Sequence, residues 1–146
     1  MEEKTPMDNE TRALREHRER IVREHMESEN VHQFDRTLAT FKHPRYELIA
    51  TGQVHDGAAE VSEYFRASRT AFPDQRNELI ALHHADDAVI SEFWLLGTHK
   101  GPLAGIEPTG KEFRCRMTAF FLFEGRDLVC ERVYFDSATI LRQLTS

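Results

Sequence analysis

The chain is poor in cysteine. Its 146 residues include two, Cys115 and Cys130, and no Cys-x-x-Cys pair. That spacing supports neither a zinc knuckle nor a thioredoxin-type motif, and two core thiols in a reducing cytoplasm are the plain reading. Long apolar runs are also missing: none approaches the roughly 20 residues that span a bilayer. The N-terminal residues are charged, so no secretory signal is expected there. Basic charge is in deficit, with 19 Lys and Arg against 25 Asp and Glu, a formal net charge of -6. Phosphate recognition needs clustered basic residues, so neither nucleic acid nor an anionic membrane surface is an expected partner. The arginines near the N-terminus (Arg12, Arg15, Arg18, Arg20, Arg23) alternate with Glu10, Glu16, Glu19 and Glu24, which describes a solvated, ion-paired helix face. No phosphate-cradling glycine loop ends in Lys-Ser/Thr, and no serine nucleophile elbow occurs.

What remains is a chain long enough for one domain, 1–146, with a polar helix in 1–29 ahead of a core in 30–146. Thr5 and Pro6 suit the start of a helix reaching Glu27, with Leu14, Ile21, Val22 and Met26 as a narrow apolar stripe. Asn30 and Gln33 resemble a capping box for a second helix carrying Phe34, Leu38 and Phe41, which stops before Pro44. Two short strands follow, over 45–50 and 53–55. Asp56 then caps a third helix with Val61, Tyr64, Phe65, Ser68 and Phe72 on one side. Four strand-like runs come next, over 76–85, 87–99, 111–123 and 127–135, joined by turn residues. Helices grouped ahead of a meander predict an α+β fold: a curved, mainly antiparallel sheet wrapped on N-terminal helices, a cone-shaped barrel closed by a short C-terminal helix.

The strand end is the sharpest local feature. Alternation places Leu128, Cys130, Arg132, Tyr134 and Asp136 on one side, and Val129, Glu131, Val133 and Phe135 on the other. Two readings of Asp136 stand. In an apolar pocket, desolvation raises a carboxylate toward service as a general base. Ahead of the helical run Ser137–Leu144, the same aspartate is a preferred N-cap, held ionised by the helix terminus.

The run Gly97-Thr98-His99-Lys100-Gly101-Pro102, followed by Glu107-Pro108-Thr109-Gly110-Lys111, Tyr134-Phe135-Asp136 and Arg142-Gln143-Leu144, resembles the SnoaL-like polyketide cyclases, as does Phe72-Pro73-Asp74. These belong to the nuclear transport factor 2-like superfamily, with the ketosteroid isomerases and limonene epoxide hydrolases. The resemblance covers roughly 32–144. It implies a cone with an apolar cavity, dimerisation through the sheet, and an aspartate near the end of the last long strand acting as acid/base without metal or organic cofactor. Asp136 occupies that place.

The enzyme reading assigns acid/base work to Asp136, with His43 and Tyr134 as catalytic partners and Arg132 orienting the substrate. Tyr46, Trp94, Met117 and Phe121 complete the expected pocket. The expected substrate is a small hydrophobic carbonyl compound, cyclised or isomerised; no cofactor is expected and the partner is a second copy. The alternative is a ligand-binding or dimerisation module of the same fold. A metal reading of His83, His84 and His99 fails on geometry, because adjacent strand residues point to opposite faces and no third ligand lies nearby.

Overall fold

Helix α1 (Asn9–Asn30) starts where Asp8, in extended backbone, accepts a hydrogen bond from the Thr11 N–H at 2.6 Å. The computed structural model of the protein describes residues 6–146, so the expected Thr5 cap lies outside the described residues. The buried stripe of α1 holds Val22 and Met26, but also Arg18, His25 and Ser28. Arg18 ties the helix to two turns of the sheet. Its Nε donates to the Gly125 carbonyl at 2.9 Å and its Nη1 to the Asp86 carbonyl at 2.8 Å, with the guanidinium over the Phe123 ring.

Asn30 does not cap the second helix. Its amide clamps the end of α1 to the sheet, donating to the Asn77 carbonyl and accepting from the Asn77 N–H. Helix α2 (Phe34–Ala39) is one short turn and a half without a side-chain cap. Strands β1 (Arg45–Leu48) and β2 (Gln53–Asp56) form a hairpin, and helix α3 (Ala58–Ala71) follows. Its N-cap is Gly57 at φ 89°, not Asp56, which is the last residue of β2. The positive φ suits glycine, and the turn it makes leaves Asp56 paired with Arg45 instead.

Strands β3 (Arg76–His84), β4 (Ala88–Thr98), β5 (Glu112–Glu124) and β6 (Asp127–Tyr134) form the meander, and α4 (Ser137–Thr145) closes the chain. The sheet order is β2-β1-β6-β5-β4-β3, antiparallel except where β1 runs parallel to β6. The sheet is curved and not closed, and its inner face carries the core. Phe113, Cys115, Met117, Ala119, Phe121 and Phe123 of β5 are all buried, an alternation that follows directly from the period of a strand with one covered face. Fully buried side chains such as Phe65, Phe121, Leu128 and Leu144 each contribute about 1.5–3 kcal/mol by leaving water.

Strand β6 departs from simple alternation. Leu122 pairs with Cys130 and Phe123 with Leu128, so Val129 is a bulge. The extra residue changes the phase. Leu128 therefore joins Glu131 and Val133 on the inner side, while Cys130, Arg132 and Tyr134 face outward.

Candidate functional site

The helices and the curled sheet enclose a cavity of about 380 Å³. One wall is sheet: Leu48, Leu95, Phe113, Met117 and Val133. The opposite wall is α3 and its exit, with Tyr64, Ser68, Phe72 and Gln75. The rim is formed by Thr51 and Gln53, by Leu103 and Ala104, and by Phe135 and α4.

The Gly97–Gly101 run builds part of that rim. The N–H groups of Lys100 and Gly101 both donate to the Ala71 carbonyl at the end of α3. A Cβ at Gly101 would overlap the Thr70 carbonyl oxygen, and one at Gly97 would press on Phe72 and Phe113 at 3.0 Å. The glycines let the loop lie flat on α3 and hold Leu103 over the opening. His99 is fully buried; its Nδ1 accepts from the Thr109 N–H at 3.2 Å, which pins the loop's return.

Parallel pairing sets what lies deeper. Leu48 of β1 pairs with Val133 of β6, and both line the cavity. Two residues back, Tyr46 pairs with Glu131 on the same inner face, about 6.6 Å further in. There α1 contributes His25 and Glu29, one turn apart. Tyr46 donates its hydroxyl hydrogen to Glu29 at 2.5 Å. His25 Nε2 lies 2.8 Å from the Tyr46 oxygen, 3.2 Å from Glu131 Oε2 and 3.3 Å from Glu29 Oε1. The Thr40 hydroxyl donates to the Thr37 carbonyl, so it accepts from the other imidazole nitrogen, Nδ1, at 2.9 Å. With both ring nitrogens facing acceptors, the imidazolium is the favoured form. The edges of Phe41 and Phe121 close around the ring.

Burial opposes charge throughout this group, and the partners decide each outcome. For His25, burial would lower the pKa, but the carboxylates of Glu131 and Glu29 outweigh it and push it up to about 9. Burial raises Glu131 above the ordinary carboxylate range, helped by repulsion from Glu29 and opposed by His25. Burial also presses on Glu29, but the charges of His25 and Arg69 and the Tyr46 hydrogen bond carry it below that range. Burial keeps Tyr46 and Tyr64 well above the usual phenol value, so both are neutral donors. Tyr64 joins the two regions: it lines the cavity, and its ring centroid lies 5.4 Å from that of Tyr46. Among the described residues, the donor atoms of His25, Glu29 and Glu131 lie within 4.8 Å of one another, close enough to hold a metal ion. Their hydrogen bonds to one another and to Tyr46 already occupy the centre they face.

The residues expected from sequence do not converge. Asp136 caps α4, accepting from the Ala138 N–H at 3.1 Å and the Thr139 hydroxyl at 2.8 Å. Its side chain is 63% exposed, and those hydrogen bonds hold its pKa below the carboxylate norm. A solvated, depressed carboxylate is a poor base. Tyr134 is 39% exposed on the outer face beside Phe120, and Arg132 pairs there with Glu47 at 2.9 Å. Trp94 is on the outer face as well, with the Arg114 guanidinium 3.9 Å from its ring centroid. His43 is exposed and 3.3 Å from Asp56. Met117 lines the cavity, while Tyr46 and Phe121 lie in and against the buried polar group. His83 pairs with Glu92 and His84 with Glu19.

His25, Glu29 and Glu131 are not among the residues expected from sequence. Two signals pointed to them: a His-x-x-x-Glu pair beside the apolar stripe of α1, and one carboxylate among Val129, Val133 and Phe135. A lone acidic residue on an apolar strand face needs a buried partner.

The model of the SnoaL-like polyketide cyclase family matches residues 16–144, and the chain belongs to that family. Solved structures share its fold at low identity. A Xanthomonas campestris protein provisionally described as a polyketide cyclase superimposes with a TM-score of 0.79 at 18% identity, covering 90% of this chain and 99% of that one. IdmH of Streptomyces antibioticus, also provisionally described as a polyketide cyclase, gives 0.73 at 21%, covering 88% and 98%. AclR of Streptomyces galilaeus, provisionally described as a hydroxylase, gives 0.74 at 17%, covering 87% and 83%. No curated protein matches the chain.

Proposed function

We propose that the protein is a cyclase-type enzyme performing acid/base chemistry on a small apolar carbonyl compound held in the cavity. The observation that carries this reading is the buried His25–Glu29–Tyr46–Glu131 group, one strand step beneath the cavity floor. The substrate's reacting end would pass between Val133 and Tyr64. Glu131, its pKa raised, takes a proton from the carbon beside the carbonyl and returns it elsewhere; the His25 imidazolium steadies the charge on Glu131, and Tyr64 donates to the carbonyl oxygen. Asp136 has no part in this chemistry. The family membership supports a cyclase-type role, and the rearrangement could equally be an isomerisation.

A second reading, a non-catalytic ligand-binding module, is favoured by one observation: the cavity's immediate lining contains no carboxylate or imidazole. Exchange of α-hydrogens separates the two. In D2O, the wild-type protein is expected to accelerate deuterium incorporation next to the carbonyl of a panel of aryl ketones. Glu131→Gln should lose about 10²–10⁴-fold of that rate, and Asp136→Asn should keep it. Binding without exchange by the wild type supports the module.

The outer sheet face, with Trp94, Phe120 and Tyr134 among paired charges, suits a second copy of the chain as partner. Two free buried thiols suit the cytoplasm, and no helix among the described residues is long and apolar enough to cross a membrane.

A further inference from the structure

Two polar side chains of the α3 wall, Tyr64 and Gln75, make no hydrogen bond among the described residues, and they stand at its opposite ends. Gln75 is 7% exposed, and it lines the cavity. Its backbone is fully used: the N–H donates to the Phe72 carbonyl at 3.0 Å, and the carbonyl accepts from His32 Nε2 at 3.0 Å. Its side-chain amide makes no hydrogen bond among the described residues. The amide is not sealed in protein but opens onto the cavity, so a ligand that displaces water from it must offer a hydrogen bond in exchange.

Tyr64 repeats the pattern at the other end. Its hydroxyl has no hydrogen-bond partner among the described residues, and it lines the cavity beside Tyr46. Between them, Ser68 is already committed: it donates to the Phe65 carbonyl at 3.0 Å and accepts from Arg69 Nη1 at 2.9 Å. From Tyr64 to the end of α3 at Ala71 the helix rises roughly 10 Å, and Gln75 lies past that end. The facing wall of Leu95, Phe113, Met117 and Val133 offers only apolar surface. The remaining polar residues of the lining, Thr51, Gln53 and Ser137, lie at the rim, where Thr51 and Gln53 are exposed.

We propose that Tyr64 and Gln75 are the two anchors of a ligand that is apolar along its length and carries an oxygen function at each end. The inner end is a carbonyl, accepting from the Tyr64 hydroxyl. The outer end is a hydroxyl or second carbonyl, which the Gln75 amide can meet as either acceptor or donor. The sheet wall receives the apolar body. This inference rests on the cavity being the substrate site of the proposed enzyme, and it names the class of substrate that the site selects.

The test compares 2-acetylnaphthalene, with one oxygen, and 6-hydroxy-2-acetylnaphthalene, with one at each end, by calorimetric titration. The wild type is expected to bind the hydroxylated probe about tenfold more tightly. Gln75→Leu should erase that preference while leaving the affinity for 2-acetylnaphthalene unchanged. Tyr64→Phe should weaken both probes by a similar factor, about tenfold. Thermal melts confirm that both variants fold; if either does not, Gln75→Met and Tyr64→Leu replace them under the same criteria. Retained preference in the Gln75 variant, unaltered affinity in the Tyr64 variant, or failure of the wild type to bind either probe overturns the inference. Deuterium exchange by Glu131→Gln separates the two readings. If that variant kept full deuterium exchange, the acid/base reading would fail while the two anchors stood.

Discussion

Glu131 and Asp136 are carboxylates five residues apart on one stretch of chain, and the fold treats them in opposite ways. Glu131 points inward at 5% exposure, where burial raises its pKa and His25 is its counter-charge. Asp136 sits at the rim, solvated, its oxygens spent on the first turn of α4 and its pKa lowered. Sequence position alone favours the second as a catalytic group. Environment favours the first, because a proton carrier needs a pKa moved toward working pH and a polarisable set of partners. The difference is that between a carboxylate used for folding a helix and one held at a cost to folding.

The comparison breaks most visibly at its buried end. His25→Ala leaves Glu29 and Glu131 facing each other without their shared cation, and the loss of stability at pH 7 should be about 3–5 kcal/mol, read by urea unfolding. A smaller effect is expected at the rim loop. Gly101→Ala forces the loop off the Thr70 carbonyl and should cost roughly 1–3 kcal/mol, with deuterium exchange into ketones reduced because Leu103 loses its place over the opening.

The pH dependence sharpens the same contrast. The folded-state pKa of His25 is raised, so its contribution is fully present below the unfolded value of 6.5. It is lost as pH rises through about 9. The stability difference between the wild type and His25→Gln should therefore shrink over that window, by at most about 1.4 kcal/mol per pH unit. Asp136 behaves oppositely. Its pKa is depressed, so the cap contributes above the ordinary value of 3.8 and is lost as pH falls below it. Asp136→Ala should lower the melting temperature slightly at pH 7, have a vanishing effect in strong acid, and leave exchange intact; this is the smallest expected change.

The fold could be read from the sequence because its signals are local. Strand alternation in β5, the turn glycines and the apolar side of α3 each specify an element without knowledge of the others. The site could not be read in the same way. Strand alternation sorted Arg132, Tyr134 and Asp136 from Glu131, Val133 and Phe135, but gave no sign of which set faces inward. The three charged or hydroxyl-bearing residues looked like a site because they were polar, yet polarity on a strand is also what an outer face requires. The bulge at Val129 moved Leu128 across to the inner set, and bulges leave little trace in a single sequence. His25 and Glu131, 106 positions apart, meet because α1 packs against β6, and Tyr46 joins them because β1 pairs parallel to β6. The Gly97–Gly101 run, which carries part of the family resemblance, frames the rim of the cavity.

The most direct measurement is a carboxyl-carbon NMR titration of the wild-type protein that follows Glu131 and Asp136 together. Glu131 should titrate above 4.5 and Asp136 below 3.8, each displaced from its ordinary value by the environment described. A Glu131 that titrates at or below 4.5 while Asp136 titrates above 3.8 would contradict the assignment of the chemistry to the buried end of β6.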